Sequence, residues 1–338
     1  MVCKDFLQEA SGLKSLGELG ERYILEYVID KLEQLNGSIL PPGDDTVDMI
    51  SSNRIIFSSD MLLESTDIPP GMSFRDVGYK AVTATTSDIA AKGGKPIAYL
   101  ISLALPSKML FDEFRELWSG IEEAAKDYGG KIVGGDTNEG RELVVDVICL
   151  AEAANPVPRI GMRPGDIVAV TGSFGAQAAG LHALLNNLRG EAIAEKVVKR
   201  FLRPKARVNE GIALAKSGAL TASMDSSDGL SETLHTLMDL NGYGIRIDNP
   251  PIDDDARRYA EKFNVDLFAL TFYGGEEYEL VVTIKPKMLE DALKSIESVG
   301  GKLIPIGRVI EGKTIEAKWF GEYVTVERRG YEHFKMRK

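Results

Sequence analysis

Cysteine and histidine are scarce: the 338 residues include two of the former and three of the latter. Cys3 lies near the N-terminus and Cys149 inside the apolar run VVDVICLAEA. That usage suits a reducing compartment and excludes both a disulfide framework and a thiolate zinc site. His182 and His235 sit in leucine-rich stretches, GLHALL and TLHTLM, where packing is the better reading, and His333 is the third. Neither GxSxG nor GxxxxGK[ST] occurs, which disfavours a serine hydrolase and a P-loop kinase. GSFGAQAAG departs from GxGxxG and makes a nicotinamide site weak. Apolar runs of about 18 residues are missing, and the opening MVCKDFLQEASGLKSLGELGE has no continuous apolar segment, so a cytoplasmic protein without membrane insertion is expected. A net charge of −11 without basic stripes argues against a nucleic-acid partner.

What is present is an ordinary globular composition, 44% hydrophobic and 27% charged, at a length that suits two domains. Three prolines in NPVPRIGMRPGD mark a linker and divide the chain into 1–154 and 155–338. In the first part, RIIFS reads as a strand that ends at Asp60, and Ser73 with Asp76 forms a capping box for a helix whose last turns hold Asp88. IAYLISLAL is a buried strand, Ser107 caps an amphipathic helix ended by Gly129, and KIVGGDTNEG is a strand with a tight glycine turn. In the second part, strands at DIVAVTG, TASMD, GIRID and YELVVTI alternate with helical stretches. Both halves therefore read as mixed α and β. The fragments SSDM, TSDI and SSDG, with GGDTNEGRELVVDV echoed by GGEEYELVVTI, hint at duplication with a site between halves.

Six aspartates share one context: Asp45, Asp60, Asp88, Asp136, Asp225 and Asp228 each stand where an apolar segment meets Gly, Ser or Thr. Singly, each reads as a cap or turn residue. Together they call for cations, because neighbouring carboxylates do not all ionise without compensation. Mg²⁺, which takes carboxylate oxygens and shares phosphates, fits better than zinc. Nearby glycines leave backbone N–H groups open to phosphate oxygens. DDD at 253–255 reads as a solvated helix start, and Trp118, spaced with Leu117 and Ile121, as a core residue.

PPGDD, SSDML, SDIAAKGGKP, SLALP, GGDT, GMRPGD, VTGSFGAQAAGL, FLRPKARVNEG, MDSSDGL, GGEEYEL and GYEHF follow one another along nearly the whole chain. In that order they resemble the thiamine-monophosphate kinase family. Several are shared with a wider group that includes aminoimidazole ribonucleotide synthetase, selenophosphate synthetase and a hydrogenase-maturation dehydratase. The resemblance implies ATP-dependent phosphorylation of thiamine monophosphate by direct transfer with several Mg²⁺ ions. It implies a homodimer whose N-terminal α/β domains, carrying the metal and ATP sites, pair into a shared β-barrel, with a C-terminal α/β domain.

Carried over motif by motif, Asp45, Ser58, Ser59, Asp60, Asp88, Asp136, Asp225 and Asp228 look like metal ligands. Asp60, Asp88, Asp136 and Asp228 would carry the catalysis. Trp118, Gly135, Asp136, Arg159 and Ser227 look like ATP contacts, and Asp67, Glu276 and Tyr331 like substrate contacts. Asp67 replaces a histidine usual in bacterial members, and Glu277 stands where aspartate is more common. Two other readings stay open: a related ATP-dependent enzyme with another acceptor, and a non-catalytic nucleotide-binding homologue. The absence of a C-terminal cysteine tail counts against hydrogenase maturation.

Overall fold

The computed structural model describes residues 14–19, 21–37, 49, 51, 54–188 and 190–331. The chain divides into two compact units, Met1–Thr86 with Pro96–Glu152, and Ser87–Lys95 with Ala153–Lys338.

The first unit is built from α1 (Leu16–Leu19), α2 (Glu21–Ile29), β1 (Ile55–Leu63), α3 (Glu64–Asp67), α4 (Phe74–Ala91), β2 (Lys95–Leu105), α5 (Phe111–Tyr128), β3 (Lys131–Glu139) and β4 (Val144–Glu152). Its four strands form one sheet in the order β1-β4-β2-β3, with β1 antiparallel to β4 and β2 parallel to β3. Apolar residues at alternate positions of β4 bury Val145, Val147, Cys149 and Ala151, as a strand with one covered face requires. Ser73 opens α4 as expected: its hydroxyl accepts from the Asp76 amide at 3.2 Å and donates to the Asp76 carboxylate at 2.7 Å. The α5 cap is Leu110 rather than Ser107, because the Glu113 carboxylate accepts the Leu110 amide at 2.9 Å. Gly129 ends that helix in the left-handed conformation.

The second unit contains β5 (Ile167–Val170), α6 (Ala176–Leu185), α7 (Ala192–Leu202), α8 (Val208–Ser217), β6 (Leu220–Ser226), α9 (Leu230–Asn241), β7 (Gly244–Ile247), α10 (Asp254–Phe263), α11 (Leu267–Phe272), β8 (Glu279–Ile284), α12 (Leu289–Glu297), β9 (Ile304–Ile310), β10 (Ile315–Trp319) and β11 (Glu322–Thr325). Seven strands align as β11-β10-β7-β9-β5-β8-β6. The pairs are antiparallel apart from β7 with β10, so this half is α+β in its pairing. Leu230, Leu234 and Leu237 of α9, one helical turn apart, join Val168, Val170, Val281, Ile306 and Val309 in its core. Ala176, Ala179 and Ala183 of α6 meet Val197 and Phe201 of α7 and Tyr259 of α10 in a second cluster. Trp319 closes the sheet end, edge-on to Phe268 at 5.0 Å.

The acidic run 253–255 is not a solvated helix start. Asp253 and Asp255 are buried, 6% and 8% exposed. Asp253 caps α10 by accepting the Asp255 and Ala256 amides, and it also accepts the Ser173 hydroxyl at 2.6 Å and Arg200 at 2.7 Å. These donors compensate its charge, which burial alone would disfavour.

Candidate active site

In the first unit, Asp60 lies within β1 and not at its end, opposite Val147 of β4. Strand alternation places Ser58, Asp60 and Leu62 on one face and Phe57, Ser59 and Met61 on the other. The Ser59 hydroxyl donates to Asp146 at 2.8 Å, so this side chain turns away from the Asp60 face. The expected trio of ligands on β1 thus divides into Ser58 with Asp60, and Ser59 apart.

Asp136 is exposed on β3, opposite Ser102 of β2, and accepts from Asn138 at 2.9 Å. β1 and β3 are the two edges of the sheet, three strand spacings or about 14 Å apart along it. Gly135 precedes Asp136 in the strand: a Cβ there would come 1.7 Å from the Ile101 carbonyl oxygen of β2. Its glycine is dictated by sheet contact, and the expected tight turn is replaced by a register shift between the parallel strands at Tyr99/Leu100. Asp67 turns inward on its own helix, accepting the Leu63 amide and the Thr66 hydroxyl, each at 2.9 Å. That engagement makes it a strand-to-helix clamp. Trp118 is 1% exposed and packs beside Phe114 in α5, in keeping with its reading as a core residue. Asp45 falls outside the described residues.

The end of α4 is described with the second unit. Its approach to α8 leaves no room for a side chain, since a Cβ on Gly211 would lie 2.0 Å from the Ala90 carbonyl oxygen. Ser87, buried on the same helix, donates to Asp225 of β6 at 2.9 Å, and Asp225 is only 4% exposed. Asp88 stands one residue further, half-buried, with Arg159 at 3.9 Å. Lys92 donates to the Ser223 carbonyl at 2.7 Å. Burial first, then the Arg159 charge, lowers its ammonium to a pKa of about 8, against the opposing pull of Asp225 and Asp88.

After β6 the chain turns through Ser227, Asp228 and Gly229 into α9, and two other segments dock on that turn. The Glu276 amide donates to the Ser227 carbonyl at 2.6 Å, and the Tyr331 amide to the Asp228 carbonyl at 3.2 Å. Four residues singled out by sequence, Ser227, Asp228, Glu276 and Tyr331, therefore meet around one loop. Among the described residues no group of three or more His, Cys, Asp or Glu side chains is arranged to hold a metal ion on its own. Among the described residues no helix is long and apolar enough to cross a membrane.

Two family models match the chain: AIR synthase related protein, N-terminal domain, over residues 43–153, and the C-terminal domain of the same family over 163–320. Thiamine-monophosphate kinase of Nitrosopumilus maritimus is 38% identical over 283 residues, covering 83% of this chain and 90% of that protein. This chain belongs to the thiamine-monophosphate kinase family. The Pyrococcus horikoshii member is 36% identical over 87% of this chain and 91% of its own length. A solved structure described as AaThiL complexed with AMPPCP and TMP superimposes with a TM-score of 0.75 at 29% identity, covering 94% of this chain and 98% of that one.

Within this chain, several residues beside the site were not among the expected site residues. Glu279 is buried and held by Arg207 through two hydrogen bonds, one of them 2.8 Å, and by the Thr171 hydroxyl at 2.7 Å. Arg207 was visible only as part of FLRPKARVNEG, and Lys92 only as part of SDIAAKGGKP. Glu277, 1% exposed, accepts the Gly175 amide at 3.1 Å, while its Oε2 is buried with no hydrogen-bond partner. Burial pushes its carboxyl well above the usual range, with Glu279 and Glu276 adding to the effect against the amide bonds.

Proposed function

We propose that the chain transfers the terminal phosphoryl group of ATP to thiamine monophosphate, giving thiamine diphosphate and ADP. The observation that carries this reading is the 38% identity to a thiamine-monophosphate kinase over nine-tenths of that protein's length. The likeness to a structure holding AMPPCP and TMP supports ATP as phosphoryl donor and thiamine monophosphate as acceptor.

The donor atoms fit Mg²⁺. Ser58, Asp60 and Asp136 in one unit and Asp88, Asp225 and Asp228 in the other offer only hard oxygens, and Asp45 adds another in sequence. When bound, Mg²⁺ supplies positive charge beside the phosphate oxygens. Sets of one or two side chains per strand or loop suit an ion that fills its remaining positions with phosphate and water. Arg159, its guanidinium partly exposed beside Asp88, suits donation to a phosphate oxygen. Ser227 and the glycines of the adjoining 227–229 and 274–275 loops leave backbone N–H groups suited to phosphate oxygens. Glu276 and Tyr331 border the acceptor, and Glu276 is suited to the cationic thiazolium ring. No side chain needs to remove a proton, because a phosphate monoester with a second pKa near 6 is already a dianion at neutral pH. The chain's task is alignment and charge compensation, as for other phosphoryl transfers.

The reading extends to assembly. The edge strands β1 and β3, with Phe57 76% and Met61 55% exposed on one face of β1, favour pairing of the 1–154 region with a second copy into a shared barrel. The 155–338 region completes each protomer. A cytoplasmic setting suits the free, buried Cys149. The test is direct: purified protein with Mg²⁺, ATP and thiamine monophosphate should form thiamine diphosphate and ADP in equal amounts. ATP turnover that needs a different acceptor, with no thiamine diphosphate formed, would overturn it.

A further inference from the structure

The segment 274–279 contains three glutamates with three different environments. Glu279 is buried and neutralised by Arg207. Glu276 is partly exposed at the 227–229 loop. Glu277, between them, is buried with no cation beside it, its carboxylate held by backbone amides, that of Gly175 at the start of α6 among them, and its Oε2 without a hydrogen-bond partner. A buried carboxyl with one oxygen unsatisfied is a cost that a fold seldom keeps without return.

The backbone supplies the second observation. Glu276 has φ 74° and Tyr278 φ 53°, so a left-handed residue stands on each side of Glu277. Neither is glycine or asparagine, and such conformations persist only where the surroundings impose them. Two backbone bonds fix the segment from one side, Glu276 N–H to Ser227 and Tyr278 N–H to Ser226. The Glu277 side chain fixes it from the other, reaching across to Gly175, which is itself left-handed at φ 105°. With both anchors in place, Glu276 keeps its left-handed conformation with its backbone against the loop that carries Ser227 and Asp228.

We propose that Glu277 is a positioning residue for acceptor binding: its side chain, tethered to the Gly175 amide, holds Glu276 in the left-handed conformation that presents it to thiamine monophosphate. The proposal rests on Glu276 being an acceptor contact, as read above. Hydrogen-bond acceptance, not charge, is the property required, since the site provides an amide and no cation. Glutamine keeps that acceptor, and leucine removes it at similar volume.

Steady-state kinetics of Glu277→Leu, Glu277→Gln and Glu276→Ala, each with either substrate varied, test the idea. Glu277→Leu should raise KM for thiamine monophosphate by about tenfold or more and KM for ATP by less than about twofold. Glu277→Gln should restore both to within about threefold of the parent. Unchanged KM for thiamine monophosphate in Glu277→Leu would overturn the proposal, and so would a Gln variant as impaired as the Leu variant. Equal rises in both KM values would also overturn it, by indicating general disorder. Should Glu277→Leu fail to fold, Glu277→Met, an unbranched side chain that also lacks the acceptor, replaces it with the same expected split, and its absence there overturns the idea equally. Glu276→Ala separates the two layers. If it leaves KM for thiamine monophosphate unchanged, the acceptor assignment fails; if it raises KM while Glu277→Leu does not, only the positioning role fails.

Discussion

The two sheets handle their candidate residues in opposite ways. In the first unit, Asp60 and Asp136 project from the edge strands of a four-stranded sheet, and their carboxylates contribute little to its core. In the second, Asp225, Glu277 and Glu279 are buried at the ends of β6 and β8, within a seven-stranded sheet. Chemistry in the first unit is thus attached to a finished core, whereas in the second it is part of the core. Substitutions should separate activity from stability in one unit and couple them in the other.

The largest effect is expected where chemistry alone is touched. Asp60→Asn, Asp88→Asn and Asp228→Asn should each lower kcat by about a hundredfold or more. Asp60→Asn should shift the melting temperature by no more than about 2 °C, as surface changes do. Full turnover in Asp60→Asn and Asp88→Asn together would remove the ligand assignment. Asp225→Asn, which disturbs the bond from Ser87, should lower both activity and melting temperature; loss of activity alone would blur the contrast.

Next in size is the buried ion pair. Arg207→Met leaves Glu279 buried without its cation and should cost about 3–5 kcal/mol in chemical unfolding of the second unit. The first unit's transition should stay in place. A third test concerns the open edge. Phe57→Asp with Met61→Asp should weaken self-association roughly 10- to 100-fold, measured by sedimentation, since each removes an exposed apolar side chain from the β1 face. Unchanged association would place the interface elsewhere.

The smallest effect is a titration. Burial would raise the Asp253 carboxyl, but Ser173 and Arg200 outweigh it and hold the folded value below the ordinary range. A depressed folded pKa stabilises above the unfolded value, near 3.9, and that contribution fades as pH falls through the folded one. Asp253→Asn should therefore cost about 1–2 kcal/mol at neutral pH, and its deficit should shrink below about pH 4. A constant deficit across that range would assign the effect to the cap alone.

Much of this was legible before any coordinates. Alternation in β4, the Ser73 capping box and Gly129 are local features, and local rules determine them. Motif order was enough for the family. What escaped was nonlocal: that Ser59 faces away from Asp60, that Gly135 answers to a neighbouring strand, and that the last turn of α4 belongs with α8 and β6. Pairing partners decide such matters, and a single strand's residues do not name them. The 253–255 run misled for a related reason. Aspartate's habits in turns are visible in sequence, but whether a carboxylate ends up holding its own helix, an arginine or a substrate depends on what folds against it.

The chain contains two tryptophans, and each unit has one: Trp118 in the core of the first and Trp319 against Phe268 in the second. Nature has in effect wired each half with its own lamp. Replacing either indole by phenylalanine leaves a single emitter, so fluorescence can follow the two halves separately during unfolding, refolding or nucleotide addition without any attached dye.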